Sequence, residues 1–135
     1  MHNSIRAIAP GQWLHRKGAA EARPGEAVLI AGSRGAFSYL VMPGADAASH
    51  LYSLAHGAGR KWTRQGARAR VREKYALEAL YRTRLGSHVV CPDRDLLCEE
   101  APEAYKKIEH VIEDLQAFGL IDVVAVLRPV LNCKP

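Results

Sequence analysis

The sequence predicts an α+β fold formed by a single domain of 135 residues. Short apolar runs rich in β-branched residues occur together with one segment of clear helical periodicity, and the two kinds of segment alternate irregularly along the chain. A hydrophobic fraction of 48% is enough for one modest core, and the length is too short for two. No run approaches the roughly 20 uncharged apolar residues of a membrane span, and the first residues lack the charged and then apolar pattern expected of a secretory signal. These features predict a cytoplasmic protein with no membrane partner.

The N-terminal part is predicted to be an irregular segment over residues 1–25, followed by a core over residues 26–135. The first segment has little periodicity and contains five turn-forming residues, which are Pro10, Gly11, Gly18, Pro24 and Gly25. Residues 27–31 and 36–42 then predict two short strands, joined by a glycine turn over residues 32–35.

Further along, Thr63 is a candidate N-cap for a helix that reaches about Arg82 with one narrow apolar stripe, although Gly66 weakens its first turn. A short strand over residues 89–91 and a turn over residues 92–95 come next.

The clearest element is an amphipathic helix over residues 103–118, with Pro102 before it, acids in its first turn and Gly119 at its end. The β-branched run over residues 120–127 predicts a buried strand.

Charge is distributed unevenly between the two halves of the chain. Residues 1–74 hold 12 Lys or Arg against 4 Asp or Glu, whereas residues 75–135 hold 7 against 10. A basic half of this density favours a polyanionic partner such as RNA or a nucleotide, although an ordinary solvated basic face explains it equally well. The three cysteines lack metal-site or disulfide spacing and are expected to be free thiols.

The sequence His56-Gly57-Ala58-Gly59-Arg60 has the chemistry of a phosphoryl or nucleotidyl transfer site. A neutral imidazole can act as a nucleophile, the glycines let backbone N–H groups approach phosphate oxygens, and a guanidinium suits phosphate geometry. A single histidine in a glycine-rich loop also has a purely structural interpretation.

Three other segments are weaker candidates. Residues 32–35 could hold an anion or could be a plain hairpin turn, and Arg16 and Lys17 lie in a basic segment that could contact RNA phosphates or solvent. Arg60, Arg64 and Arg68 would share one face if the segment were helical, which permits phosphate binding or simple solvation.

Six segments together resemble the C-terminal part of the RtcB-type RNA ligases. They are HNS at 2–4, HRKGA at 15–19, GSRGAFSYLV at 32–41, HGAGRKWTRQGA at 56–67, EEAPEAYKKIEHVIE at 99–113 and the closing VLRPVLNCKP. The resemblance implies the last third of that fold, a mixed sheet with flanking helices that forms an incomplete domain. The segment CPDRDLL at 91–97 resembles a subgroup linked to repair of translational RNAs.

The family joins RNA with a 3′-phosphate or 2′,3′-cyclic phosphate to RNA with a 5′-hydroxyl, using GTP and Mn²⁺. The resemblance therefore implies that His56 is the catalytic nucleophile that takes GMP. It further implies a set of residues that bind GTP or GMP: Ser33, Gly57, Ala58, Gly59, Arg60, Tyr105 and Lys134. Ser33 would contact guanine, Tyr105 would pack on the base, and Lys134 would contact the purine edge.

His2 alone matches one of the family's metal ligands, because most of those ligands lie upstream of this sequence. Two departures concern the metal and the hairpin: Ala55 stands where the family usually has cysteine, and residues 31–36 replace Pro-Gly-Ser-Met-Gly-Thr. RNA phosphates would meet Arg16, Lys17 and Arg64.

Three interpretations stay open. The chain is a ligase fragment whose isolated form does not join RNA, a non-catalytic RNA- or nucleotide-binding module that pairs with a separate chain carrying the missing ligands, or the remnant of a truncated gene.

Overall fold

The computed structural model describes residues 3–134, and its mixture of strands and helices confirms the α+β prediction. Nine strands form four small sheets. The strands are β1 (Asn3–Ala9), β2 (Gln12–Lys17), β3 (Ala19–Glu21), β4 (Val28–Ile30), β5 (Ser38–Pro43), β6 (Ser53–Ala55), β7 (His88–Val90), β8 (Ile121–Leu127) and β9 (Leu131–Cys133). The helices are α1 (Arg64–Lys74), α2 (Arg94–Glu99) and α3 (Ile108–Ala117). No helix between residues 3 and 134 is long and apolar enough to cross a membrane.

The prediction of an irregular N-terminal segment is wrong for most of its length. Strands β1 and β2 form an antiparallel hairpin in which Asn3 pairs with Lys17, and β3 pairs with β6. Gly11 has a φ of 73° and Gly18 a φ of 72°, so the glycines that suggested irregularity form the turns of this hairpin and its exit.

The central sheet has the order β4-β5-β8 and is antiparallel throughout. The two strands predicted around the glycine turn are confirmed as β4 and β5. The strand predicted over residues 120–127 is confirmed as β8, but its description as buried is wrong. Ile121 is buried, whereas Val124 and Val126 are more than half exposed, because β8 lies at the edge of a sheet that is covered on one face only.

Two predicted helices are shorter in the structure. Thr63 is confirmed as the N-cap of α1, since its side chain accepts a hydrogen bond from the Gly66 amide, but α1 ends at Lys74. Tyr75 is extended and packs with Leu77 against a core cluster, and a 3₁₀ turn then spans Leu77–Tyr81.

The helix predicted from residue 103 begins only at Ile108, after a 3₁₀ turn over Pro102–Ala104 and an extended Tyr105. The turn predicted at residues 92–95 leads instead into α2, because the Asp93 carboxylate accepts hydrogen bonds from the amides of Asp95 and Leu96.

Two apolar clusters stabilise these elements. The first joins the central sheet to α3 through residues such as Ile30, Val41 and Ile108, and the second joins α1, α2 and β7 through residues such as Val71 and Leu97. Cys91, Cys98 and Cys133 are free thiols, as predicted. The segment that follows β6 forms backbone hydrogen bonds with Gly18 on one side and with Ala31 on the other, and it contains the candidate site.

Candidate active site

His56 lies immediately after β6 and is held by backbone hydrogen bonds to two other segments. Its amide donates to the Gly18 carbonyl at 3.3 Å, and its carbonyl accepts from the Ala31 amide at 3.2 Å. The imidazole lies beside Gly18, where an added Cβ would come within 3.9 Å of both Cε1 and Nδ1 of the ring. The backbone of the candidate nucleophile is therefore fixed between the end of β2 and the end of β4.

The glycines after His56 have separate structural requirements. A Cβ on Gly57 would lie 2.6 Å from the Ala31 carbonyl oxygen, so this backbone approach needs glycine. Gly59 has a φ of 69°, in the left-handed region. Within residues 3–134, the amides of Gly57, Gly59 and Arg60 have no hydrogen-bond acceptor. Three N–H donors beside an imidazole are suited to binding phosphate oxygens.

Arg60 has a guanidinium that is held by four hydrogen bonds. Nε donates to the Trp62 carbonyl at 3.1 Å, and Nη2 donates to the Glu99 carbonyl at 2.8 Å. Nη1 donates to Glu100 Oε1 and to the Tyr105 hydroxyl, each at 3.2 Å. The guanidinium also lies 5.0 Å from the centroid of the Tyr105 ring. Arg60 therefore joins several segments of the site, and most of its N–H donors are already bonded to protein acceptors.

Glu100 lies at the centre of this cluster. The Tyr105 hydroxyl donates to its Oε2 at 2.6 Å, and Lys134 Nζ lies 3.6 Å from the same oxygen. Burial pushes the pKa of Glu100 upward, but the Tyr105 hydrogen bond, Lys134 and Arg60 outweigh it and hold the pKa below its ordinary value. Burial and the Glu100 carboxylate raise the pKa of Tyr105 to about 12. The carboxyl is ionised and the phenol is protonated near neutral pH.

Residues far apart in sequence meet here because of two pairings. Arg60 and Tyr105 form an antiparallel bridge, supported by hydrogen bonds from the Lys106 amide to Gly59 and from the Lys61 amide to Ala104. The parallel pairing of β7 with β9 brings the end of the chain alongside, where the Lys134 amide donates to the Val90 carbonyl.

A cleft of about 590 Å³ opens beside the cluster and is lined by both Ser33 and Tyr105. Its lining also includes four cationic side chains, those of Lys61, Arg84, Lys106 and Lys107, and three carboxylates, those of Glu103, Glu109 and Glu113. Ser33 lies in the turn between β4 and β5, where Gly32 is required because an added Cβ would clash with the Phe37 carbonyl oxygen. His56 does not line this cleft.

The three side chains predicted to contact RNA phosphates lie in different environments. Arg16 is 6% exposed; its Nε donates to Ser53 Oγ at 2.8 Å, and its Nη2 donates to the carbonyls of Leu51 and Tyr52. Leu51 and Tyr52 both have positive φ, so Arg16 secures a strained turn. Lys17 is exposed on β2, and Arg64 lies 3.8 Å from Glu99. Their RNA contacts stay predictions.

The described residues do not fit a metal centre. Between residues 3 and 134 no group of three or more His, Cys, Asp and Glu side chains could hold an ion. His2, the predicted metal ligand, lies outside the described residues.

Sequence reasoning missed Glu100 as a site residue. The signal was available, because Glu99 and Glu100 open the segment that supplies Tyr105, and a carboxylate close to an essential arginine is an ordinary pairing. Only the folded chain reveals that it touches Arg60, Tyr105 and Lys134.

Comparison with known proteins shows the family of this chain. Residues 2–135 match the family model described as tRNA-splicing ligase RtcB. An Escherichia coli protein named RNA-splicing ligase RtcB2 is 51% identical over 98% of this chain. Proteins named tRNA-splicing ligase RtcB from Archaeoglobus fulgidus and Aeropyrum pernix are 35% and 33% identical over 86% and 87% of the chain.

The chain belongs to the RtcB family of RNA ligases. It spans only part of these relatives: 35% of the Escherichia coli protein and 27% of each of the two archaeal proteins. Most of the length of these relatives therefore has no counterpart in the sequence described here.

Proposed function

We propose that this chain supplies the nucleotide-transfer part of an RNA ligase that uses GTP to join 3′-phosphate or 2′,3′-cyclic phosphate ends to 5′-hydroxyl ends. The observation that carries the proposal is the convergence of Arg60, Glu100, Tyr105 and Lys134 beside the His56 loop. Family membership supports the reaction class. The reaction would take place in the cytoplasm, and the RNA-repair subgroup remains part of the proposal.

In the proposed first step, an imidazole nitrogen of His56 attacks the α-phosphorus of GTP. A phosphorus–nitrogen bond forms to GMP, the bond to the bridging oxygen breaks, and diphosphate leaves. The amides of Gly57, Gly59 and Arg60 would bind the phosphate oxygens as charge shifts during transfer. Ala58 lies between the glycines, and its own amide donates to Ala31, which keeps the loop in place.

The base of the nucleotide would occupy the cleft that Ser33 and Tyr105 line. Ser33 would hydrogen-bond guanine, Tyr105 would pack against the ring, and Lys134 would reach the purine edge. The Glu100 carboxylate contacts both Tyr105 and Lys134. It could also accept hydrogen bonds from the N–H groups of guanine. The RNA 3′-phosphate would then take GMP from His56, and the 5′-hydroxyl would displace it.

The residues that would bind manganese in this proposal lie outside the described residues 3–134. A divalent ion needs several ligands held in geometry, and His2 would be one of them. The remaining ligands would come from sequence equivalent to the upstream part of the relatives, in the same polypeptide or in a separate chain. We therefore expect no RNA joining by this chain alone.

Incubation with GTP labelled at the α-phosphate tests the nucleophile. The chain is assayed with Mn²⁺, alone and mixed with the upstream part of the Escherichia coli relative, and covalent label is followed by gel. Label should be acid-labile and should disappear in His56→Ala. His88→Ala is the matched control, since His88 is an exposed residue of β7. Label retained by His56→Ala would overturn the assignment.

A second candidate is a non-catalytic RNA-binding module, which the excess of 12 basic over 4 acidic residues in residues 1–74 favours. Binding that weakens steeply with salt, together with no label under any mixture, would support it. A remnant without function would show no cooperative thermal transition.

A further inference from the structure

The basic side chains of α1 divide into two groups. Arg64, Arg68 and Arg72 face α2 and pair with its acids: Arg68 donates to Asp95 Oδ2 at 3.0 Å and lies 3.2 Å from Glu99 Oε1. Arg72 pairs with Asp95, and Arg64 with Glu99. Arg68 and Arg72 share Asp95, and Arg64 and Arg68 share Glu99, so two carboxylates offset most of the charge of this group.

The second group lies around Trp62. Arg70 Cζ lies 4.8 Å and Lys61 Nζ lies 5.0 Å from the centroid of the indole ring, and both side chains are exposed. Lys74 comes four residues after Arg70, on the same face of α1. Within residues 3–134, Lys61, Arg70 and Lys74 form no ion pair. Their charge is available to an external anion.

Trp62 orders the two cations nearest to it. Lysine and arginine side chains lose considerable rotamer freedom when they bind, and a cation–π contact that already restricts them lowers this cost. The backbone of Trp62 is fixed, because its amide donates to the Ala104 carbonyl and its carbonyl accepts from Arg60 Nε. Lys61 and Arg70 therefore gather around a residue that is attached to Arg60 of the candidate site.

Lys61 connects this surface to the cleft. It lines the cleft that Ser33 and Tyr105 also line, and it contacts Trp62 on the other side. A row of side chains thus continues from the rim of the cleft onto the exposed face of α1: Lys61, Trp62, Arg70 and Lys74. An extended polyanion that passes the rim of the cleft at Lys61 would meet Arg70 and Lys74 next.

We propose that Lys61, Arg70 and Lys74, with Lys61 and Arg70 held by Trp62, form a contact surface for the phosphate backbone of single-stranded RNA that passes the rim of the cleft. This inference rests on the proposed function for the identity of the polyanion. Phosphate contacts from lysine and arginine set affinity and register without reading sequence. Trp62 is a positioning residue, whereas Lys61 and Arg70 touch the RNA.

The test is the salt dependence of binding to a labelled 12-nucleotide single-stranded RNA, measured by anisotropy without GTP. One phosphate contact on a single strand contributes a slope of about 0.7 in the plot of log affinity against log salt, which corresponds to about fourfold in affinity near 0.15 M salt. Lys61→Gln and Arg70→Gln should each show that loss of slope and affinity. Arg72→Gln removes the same charge from the same helix and is the matched control, because Arg72 is already paired with Asp95.

Trp62→Ala separates positioning from contact. It should weaken RNA binding while the salt slope stays near the wild-type value, because both cations remain and can still reach phosphate. In a Trp13→Phe background, the fluorescence of Trp62 should change when RNA binds.

Three results would overturn the inference. They are equal losses of RNA affinity in Arg70→Gln and Arg72→Gln, an unchanged salt slope in both Lys61→Gln and Arg70→Gln, or Trp62 fluorescence that does not change when RNA binds. An acidic protein or heparin that binds as tightly as RNA, with the same variants affected, would also overturn it. The readout is independent of guanylate formation. A chain that takes label on His56 but fails this test refutes the RNA surface alone, and the converse result refutes the proposed function alone.

Discussion

Tyr105→Phe is the most direct probe of the cluster around Glu100, because it removes one oxygen atom and keeps the ring. That oxygen donates to Glu100 Oε2 at 2.6 Å and accepts from Arg60 Nη1 at 3.2 Å. A hydrogen bond to a buried charged group contributes roughly 1.5–3 kcal/mol, so we expect a loss of about 2 kcal/mol in the free energy of unfolding. With about 2.1 cal/mol/K of unfolding entropy per residue over 135 residues, this loss lowers the melting temperature by about 7 °C.

The pH dependence of the same variant adds a second check. The pKa of Glu100 lies below its ordinary value in the folded chain, so its stabilising contribution is present above the unfolded pKa and is lost as pH falls through the folded pKa. Tyr105→Phe removes a hydrogen bond that lowers this pKa. The difference in melting temperature between the wild type and the variant should therefore narrow from about pH 7 to about pH 3.5.

Thermal melts measured by circular dichroism report both effects, with Tyr81→Phe as the control. Tyr81 is exposed, and its hydroxyl makes no hydrogen bond within residues 3–134. A shift of less than about 2 °C in Tyr105→Phe near pH 7, or a difference that is constant with pH, would refute the role assigned to the hydroxyl.

Three further substitutions test the scaffold by thermal melting. Gly57→Ala places a Cβ 2.6 Å from the Ala31 carbonyl oxygen and should cost about 1–3 kcal/mol; an unchanged melt would contradict the close approach. Arg16→Gln should cost about 2 kcal/mol by removing the hydrogen bonds that the buried guanidinium donates to Ser53 and to the carbonyls of Leu51 and Tyr52, and normal stability with weakened RNA binding would instead support a phosphate contact. Thr63→Ala should cost about 1 kcal/mol by removing the cap of α1, whereas Thr63→Ser should retain it.

Local sequence signals predicted several elements correctly where short-range interactions dominate. The N-cap at Thr63 depends on one hydroxyl and an amide three residues later, and strands β4 and β5 depend on apolar runs around a turn that needs Gly32. These interactions involve neighbours in sequence, so the sequence pattern contains the information that decides them.

Long-range contacts overrode local preference at the site. Residues 103–107 share the helical periodicity of residues 108–118, yet Tyr105 is extended because it bridges Arg60 and donates to Glu100. The N-terminal residues contain glycines typical of loops, yet strands β1 and β2 pair with each other because Gly11 allows the reversal.

The sequence alone determined the family and the α+β class, because motif order and residue type are properties of the chain itself; its assignment of the residues that carry the chemistry stays a prediction. The tertiary structure decided which of those residues meet. It placed Glu100 among Arg60, Tyr105 and Lys134, and it paired Arg72 with Asp95 while leaving Arg70 open to solvent. The physical reason is that charge pairing and burial depend on distances between segments far apart in sequence, as with Arg60 and Glu100, which are 40 residues apart, and sequence spacing does not specify such distances.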